Sequence, residues 1–188
     1  YTGGFSARAV TLSSLGSSAP TVARQVLVSD RDRHVIAFGC NPEGSSTQDK
    51  LLIRFSDQEN ATDWAATAEN TAGDLIVGSG SEIVQAIETR REIVIITDAS
   101  VHSMQFIGAP FTFGLTQISA NTTIIGPNAA VAMGDAVFWM GRNRFYLYDG
   151  QVKALPCTVR DTVFRNFNDT QAEKVFASVN TSFGEITW

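Results

Sequence analysis

At 188 residues the chain has room for one large domain or slightly more. Hydrophobic residues make up 44% and charged ones 18%, below the roughly 25% charged share of an average domain, which excludes a disordered chain. A formal net charge of −5 excludes a general phosphate-gripping surface, because that affinity comes from clustered Lys and Arg.

Residues 1–23 are rich in Gly, Ser, Ala and Thr without a sustained period and read as an arm or linker. They carry no basic segment followed by an apolar core, so no signal peptide is expected. The opening Tyr1 and the β-favouring run that ends at Trp188 lead us to expect a segment of a longer chain.

From 24 onward, short apolar runs alternate with turn residues. Strands are predicted at 25–29, 35–39, 51–55, 75–77, 83–87, 93–97, 101–107, 111–117, 129–133, 136–140, 144–148 and 152–155. One helix is predicted near Thr158–Phe167, with Thr158 as its cap, Asp161 in its first turn, and Val159, Val163, Phe164 and Phe167 as its apolar stripe. The fold class is therefore all-β with one short helix.

The strands recur as a unit. Four strongly apolar runs begin at Val35, Ile93, Ala136 and Val175, at intervals of 58, 43 and 39 residues, and each precedes a turn and a second strand. Repeats of about 40–50 residues with up to four strands predict β-propeller blades, here about three plus the start of another over 24–188. The expected core includes Val35, Phe38, Ile93, Ile95, Phe138, Trp139, Phe145 and Leu147.

The most distinctive polar segment is Arg54–Trp64, which loosely resembles the Asp-box turn of sialidase-type propellers, though its Gly is missing and Asp63 precedes Trp64. Asp57, Asn60, Asp63 and Trp64 are expected to build a structural turn, with the Asp57 carboxylate bonding N–H groups inside it and Trp64 entering the next strand. Calcium is the competing reading, since Asp57, Glu59, Asn60 and Asp63 are hard oxygen donors, but no full ligand set is present and no metal is expected. Asp30–His34 reads as a solvated turn and His102 as a packed strand residue. Cys40 and Cys157 are expected to be buried free thiols, and the Asn-x-Ser/Thr triplets at Asn60, Asn121, Asn168 and Asn180 to be chance. There is no HExxH, GxSxG, GxxxxGK[ST] or GxGxxG, so neither catalytic residues nor a cofactor are expected. No apolar run is long enough to span a membrane.

In order and spacing, the segments IRFSDQENATDW, IITDASVHSMQFIGAPFTFG, IGPNAA, VFWMGRNRFYLYDGQVKALPCTVRDTVF and VFASVNTSFGEITW resemble the propeller-bearing tail proteins of short-tailed bacteriophages. These are the tail nozzle or tubular proteins, including tubular protein B and the packaged-DNA stabilisation proteins. The resemblance spans about 51–188. It implies a non-enzymatic virion protein of the phage tail, forming a homo-oligomeric ring with other tail proteins around a channel through which double-stranded DNA passes. The polar arm and the loops around 41–50 and 118–128 are then the expected contact elements. The alternative is a glycan-binding or glycan-hydrolysing propeller of the sialidase type, and a weaker one is a bacterial surface-interaction module.

Overall fold

The computed structural model describes residues 11–16 and 18–188, so the first ten residues of the expected arm lie outside the described residues. Among the described residues the protein is all-β: 44% strand and 8% helix, mostly antiparallel, in four sheets of which none is closed. It divides into two compact units. One holds the described residues up to Ile76 together with Gly108–Thr112; the other holds Val77–Ile107 and Phe113–Trp188.

The first unit begins with a single helical turn, α1 (Leu12–Leu15), followed by β1 (Ala23–Ser29), β2 (His34–Cys40), β3 (Leu52–Phe55) and β4 (Gly73–Ile76). They form one antiparallel sheet in chain order. β2 and β3 are central and buried on both faces, which explains why VIAFG and LIRF read as continuous apolar runs rather than alternating ones. β1 is an edge strand whose Val26 and Val28 are exposed. Trp64 packs with Ala19, Ala37, Cys40 and Leu52 in a small core.

The second unit carries β5 (Ile83–Glu88), β6 (Ile93–Thr97), β7 (Ser100–Gly108) and β8 (Thr112–Ala120), the last two but for the terminal Gly108 and Thr112, as one sheet in chain order. A second sheet, also in chain order, contains β9 (Ala130–Met133), β10 (Ala136–Met140), β11 (Phe145–Tyr148) and β12 (Val152–Ala154). A hairpin, β13 (Ser178–Asn180) with β14 (Glu185–Thr187), ends the chain. All five residues of β6 are buried, whereas β10 alternates, burying Val137 and Trp139 and leaving Phe138 half-exposed. The unit's core joins Val94, Ile96, Val101, Val137, Trp139 and Tyr148. Trp139 stacks on Tyr146 with ring centroids 5.3 Å apart, and Phe145 packs against Phe164 and Trp188.

All twelve strands predicted between 25 and 155 form, with ends shifted by at most three residues. Several expectations are corrected. Val35, Phe138, Phe145 and Leu147 are only half-buried: Phe138 points to the less covered face of β10, opposite Val137 and Trp139, β11 buries only Tyr148 in full, and Val35 is the one half-buried residue of an otherwise buried β2. The helix α2 spans only Arg160–Arg165. Arg160 N–H donates to the Cys157 carbonyl at 3.4 Å, so a turn precedes the helix, its cap falls on Val159, and Thr158 caps nothing. Val163, Phe164 and Phe167 do pack on the core, but Val159 is exposed. The apolar run at Val175 yields only the short β13, because a kinked 3-10 segment, Asp169–Lys174, occupies the chain up to it and leaves Phe176 65% exposed. Finally, both cysteines are free, but Cys157 is partly exposed while Cys40 is fully buried.

Candidate functional site

Two polar constellations stand out, one in each unit. The first is the turn that follows β3. Asp57 N–H donates to the Asp63 carbonyl at 2.8 Å, Asn60 N–H to the Asp57 carbonyl at 3.2 Å, and Asp63 N–H to the Asn60 carbonyl at 3.4 Å, closing a compact loop. Glu59 takes the left-handed conformation at φ 61°, and its N–H donates to the Arg33 carbonyl at 2.8 Å.

The side chains of this turn point to separate partners. Asp57 Oδ1 accepts from Thr71 N–H at 2.8 Å and from the Thr71 hydroxyl at 2.7 Å. Its carboxylate therefore ties the turn to a residue just before β4, a partner outside the turn that the sequence reading did not name. These bonds from Thr71 hold the Asp57 carboxyl below the usual carboxylate range. Glu59 pairs with Arg33, Asn60 Oδ1 accepts from Thr62 N–H and the Thr62 hydroxyl, and Asp63 accepts from Ala65 N–H and the Asn70 amide. Four oxygen donors close in sequence are thus spread over four tasks, and among the described residues no group of three or more His, Cys, Asp or Glu is gathered as a metal would need.

Trp64 enters no strand, which corrects that expectation: it plugs the first unit's core from the loop between β3 and β4, its Nε1–H donating to the Ala61 carbonyl at 2.8 Å. The buried Arg54 guanidinium donates to the Trp64 and Ser18 carbonyls, at 3.1 and 2.7 Å, fastening part of the segment before β1 to the sheet.

The Thr71 hydroxyl also joins the turn before β2. It accepts from Gln58 N–H at 2.8 Å and lies 3.2 Å from His34 Nε2, while His34 Nδ1 lies 2.6 Å from the Asp32 carbonyl. Asp32 and His34 are buried, so Asp30–His34 is not simply a solvated turn. Arg33, at φ 58°, tightens the bend and turns alternate side chains inward. Burial holds His34 below its ordinary pKa against the opposing bond from the Asp32 carbonyl.

The second constellation lies in the second unit. Glu92, immediately before β6, is 8% exposed. Its carboxylate accepts from the Tyr148 hydroxyl at 2.6 Å, the Gln105 amide at 3.2 Å and the Ser103 hydroxyl. Burial pushes the Glu92 pKa up, but the donors Ser103, Tyr148 and Gln105 outweigh it, and the net shift is downward. Burial and the Glu92 carboxylate together push the Tyr148 phenol far upward. At neutral pH Glu92 is an anion and Tyr148 a neutral donor, an arrangement suited to holding rather than to nucleophilic attack.

Glu92, Ser103, Gln105 and Tyr148 line a cleft of about 340 Å³, shared with Thr116 and Gln117 of β8 and with Ile107 and Ile118. The volume is at the lower end of small-molecule sites. Its mixture of hydroxyls, amides and two aliphatic side chains can hydrogen-bond and cover a neutral, hydroxylated ring. Sequence reasoning missed this cleft: Glu92 precedes the apolar run as an ordinary flanking acid, and Tyr148 is 56 residues away. The nearest signal was an acid abutting the most buried strand.

His102 is packed, as expected, with Nε2 2.8 Å from the Ser100 hydroxyl, and burial lowers its pKa. Of the expected contact loops, 41–50 is largely exposed. The 118–128 segment turns inward and buries Thr122, Ile124 and Ile125, because its start completes β8 and its middle fills the core. Among the described residues no helix is long and apolar enough to cross a membrane. No protein-family model matches the chain, and no curated protein matches it.

Proposed function

We propose that the chain is part of a virion structural protein, a bacteriophage tail nozzle or tube subunit built of propeller-like blades, which works by assembly and turns over no substrate. The observation that carries the blade reading is the succession of first strands in the second unit. Gln85 of β5 exchanges two 3.0 Å hydrogen bonds with the backbone of Ala130 at the start of β9. Beside β9, Asn128 forms a parallel bridge with Phe176 and accepts from Ala177 N–H at 2.7 Å, just before β13. Each of β5, β9 and β13 opens a new antiparallel sheet, so consecutive units meet through their opening strands, as blades arranged around an axis do.

The step from blade to tail rests on the ordered segments between 51 and 188 that resemble tail nozzle proteins. The charge balance supports it physically: a conduit for DNA must not hold its cargo, and a net charge of −5 disfavours phosphate contacts. In this reading the partners are copies of the same chain in a closed ring, other tail proteins, and DNA in transit. Native mass spectrometry and particle imaging of the full-length protein test it. A closed ring supports the proposal, and a stable monomer at micromolar concentration overturns it.

A second reading, a glycan-binding or glycan-hydrolysing propeller, has the Glu92–Tyr148 cleft behind it. Its lining holds a single carboxylate and no arginine, which favours binding over hydrolysis by a carboxylate pair. Glycan-array binding lost in Glu92→Gln would support this reading over the structural one.

A further inference from the structure

We infer that the cleft between β11 and the start of α2 is a binding site for a carboxylate. The inference does not depend on the tail reading. The cleft, about 300 Å³, is lined by Arg144, Leu155, Cys157, Thr158, Arg160 and Asp161, among others. Arg144 Nε is buried and donates to nothing, and no ion pair engages its guanidinium among the described residues. A buried donor on a charged group without a partner is costly, and such groups in native proteins are nearly always satisfied. Arg160 lines the same cleft, and its guanidinium is held only by the adjacent Asp161, at 3.2 and 3.3 Å, an exposed pairing that binds weakly. The Thr158 hydroxyl, freed because it caps no helix, adds a neutral donor.

Charge selects the ligand class. Two guanidinium groups and the Asp161 carboxylate leave one net positive charge, which matches a monoanion better than a phosphate dianion. Arginine's planar fork fits the two oxygens of a carboxylate. The source of that carboxylate, a small acid or an acidic side chain of another protein, shares this chemistry.

Cys157 lines the cleft and is partly exposed, so its alkylation reports occupancy, while the fully buried Cys40, with its thiol pushed up to about 11, stays unlabelled as long as the fold is intact. The experiment follows Cys157 labelling by iodoacetamide in the full chain, with sodium acetate, a short Asp-containing peptide or phosphate compared against chloride at equal ionic strength. At twice its Kd, bound acetate slows labelling about threefold, by the 1 + [L]/Kd factor of mass action. Arg144→Gln abolishes that protection and Arg160→Gln weakens it, with Cys40 still silent in both. Stronger protection by the peptide than by acetate assigns the site to a protein side chain; the reverse assigns it to a small acid. Equal rates in acetate and chloride overturn the inference, as does protection that survives Arg144→Gln. Protection by phosphate alone overturns the carboxylate assignment.

Discussion

Asp57 and Glu92 are both carboxylates held below their ordinary pKa by hydroxyl and N–H donors, yet they do different work. Asp57 is only partly buried and reaches Thr71, 14 residues on, so it staples one loop to the edge of its own sheet. Glu92 is buried and gathers donors 11, 13 and 56 residues away, so it ties β11 to the sheet formed by β5–β8. The difference teaches that the reach of a polar contact along the chain, more than the number of its hydrogen bonds, determines what it holds together. A contact within a loop constrains that loop; a contact between sheets constrains packing and shapes a cleft.

Reach then sets the order of expected effects. Glu92→Ala leaves the buried Tyr148 and Ser103 hydroxyls and the exposed Gln105 amide without their acceptor, and should cost about 2 kcal/mol at about 1 kcal/mol per buried orphaned donor. Glu92→Gln, which keeps an acceptor oxygen, should cost about half as much in the same urea titration. A loss under about 1 kcal/mol for Glu92→Ala, the size of an ordinary substitution, would show that water replaces the carboxylate and that the second unit does not depend on it. Asp57→Ala should cost about 1–2 kcal/mol, because both of its bonds come from one partner and the site is part-exposed. Thr71→Val should be non-additive with it, coupling by about 0.5–1 kcal/mol in a double-mutant cycle. Full additivity would separate the turn from Thr71.

How much of this was legible in the sequence follows the same rule. The turn at Asp57, Asn60, Asp63 and Trp64 could be read because its backbone closure is local, yet its main partner, Thr71, could not, since the intervening residues carry no period that sets where the loop returns. Strands 25 to 155 were legible because apolar runs and turn residues are local signals. Which face of β10 is buried was not, since AVFWM is apolar on both faces and only the neighbouring Tyr146 and the inward Trp139 decide it. The Glu92–Tyr148 pair needed the pairing of sheets, and the Arg144 cleft needed the path of the chain after β12. Neither is written in any one segment.

Acid should expose the two carboxylates in turn. His34 and His102 are held below their ordinary value near 6.5, so the stability tied to their neutral forms is present above that pH and lost as pH falls through their folded values. Glu92 and Asp57 are likewise lowered, from 4.5 and 3.8, so their contributions persist above those values and disappear only on further acidification. The Tm should be level between about pH 6.5 and about pH 8 and decline below that window, with a second, steeper fall below about pH 4.5 that Glu92→Ala flattens. On the alkaline side it should fall again, because the Cys40 thiol and Tyr148 phenol are both pushed up by burial. A Tm that rises on acidification would reverse the sign of these contributions.

The smallest effect belongs to Asn60, whose Oδ1 accepts from Thr62 N–H at 3.2 Å and from the Thr62 hydroxyl at 2.8 Å. Counted by bonds, Asn60 equals Asp57, which also accepts two from one threonine. Counted by reach, it spans two residues, is exposed, and makes a contact that the unfolded chain can form for itself, so part of its energy cancels between the two states. Asn60→Ala should therefore cost no more than about 0.5 kcal/mol, well below Asp57→Ala measured in the same titration. If the two substitutions cost the same, the count of hydrogen bonds governs these turns and their reach along the chain does not.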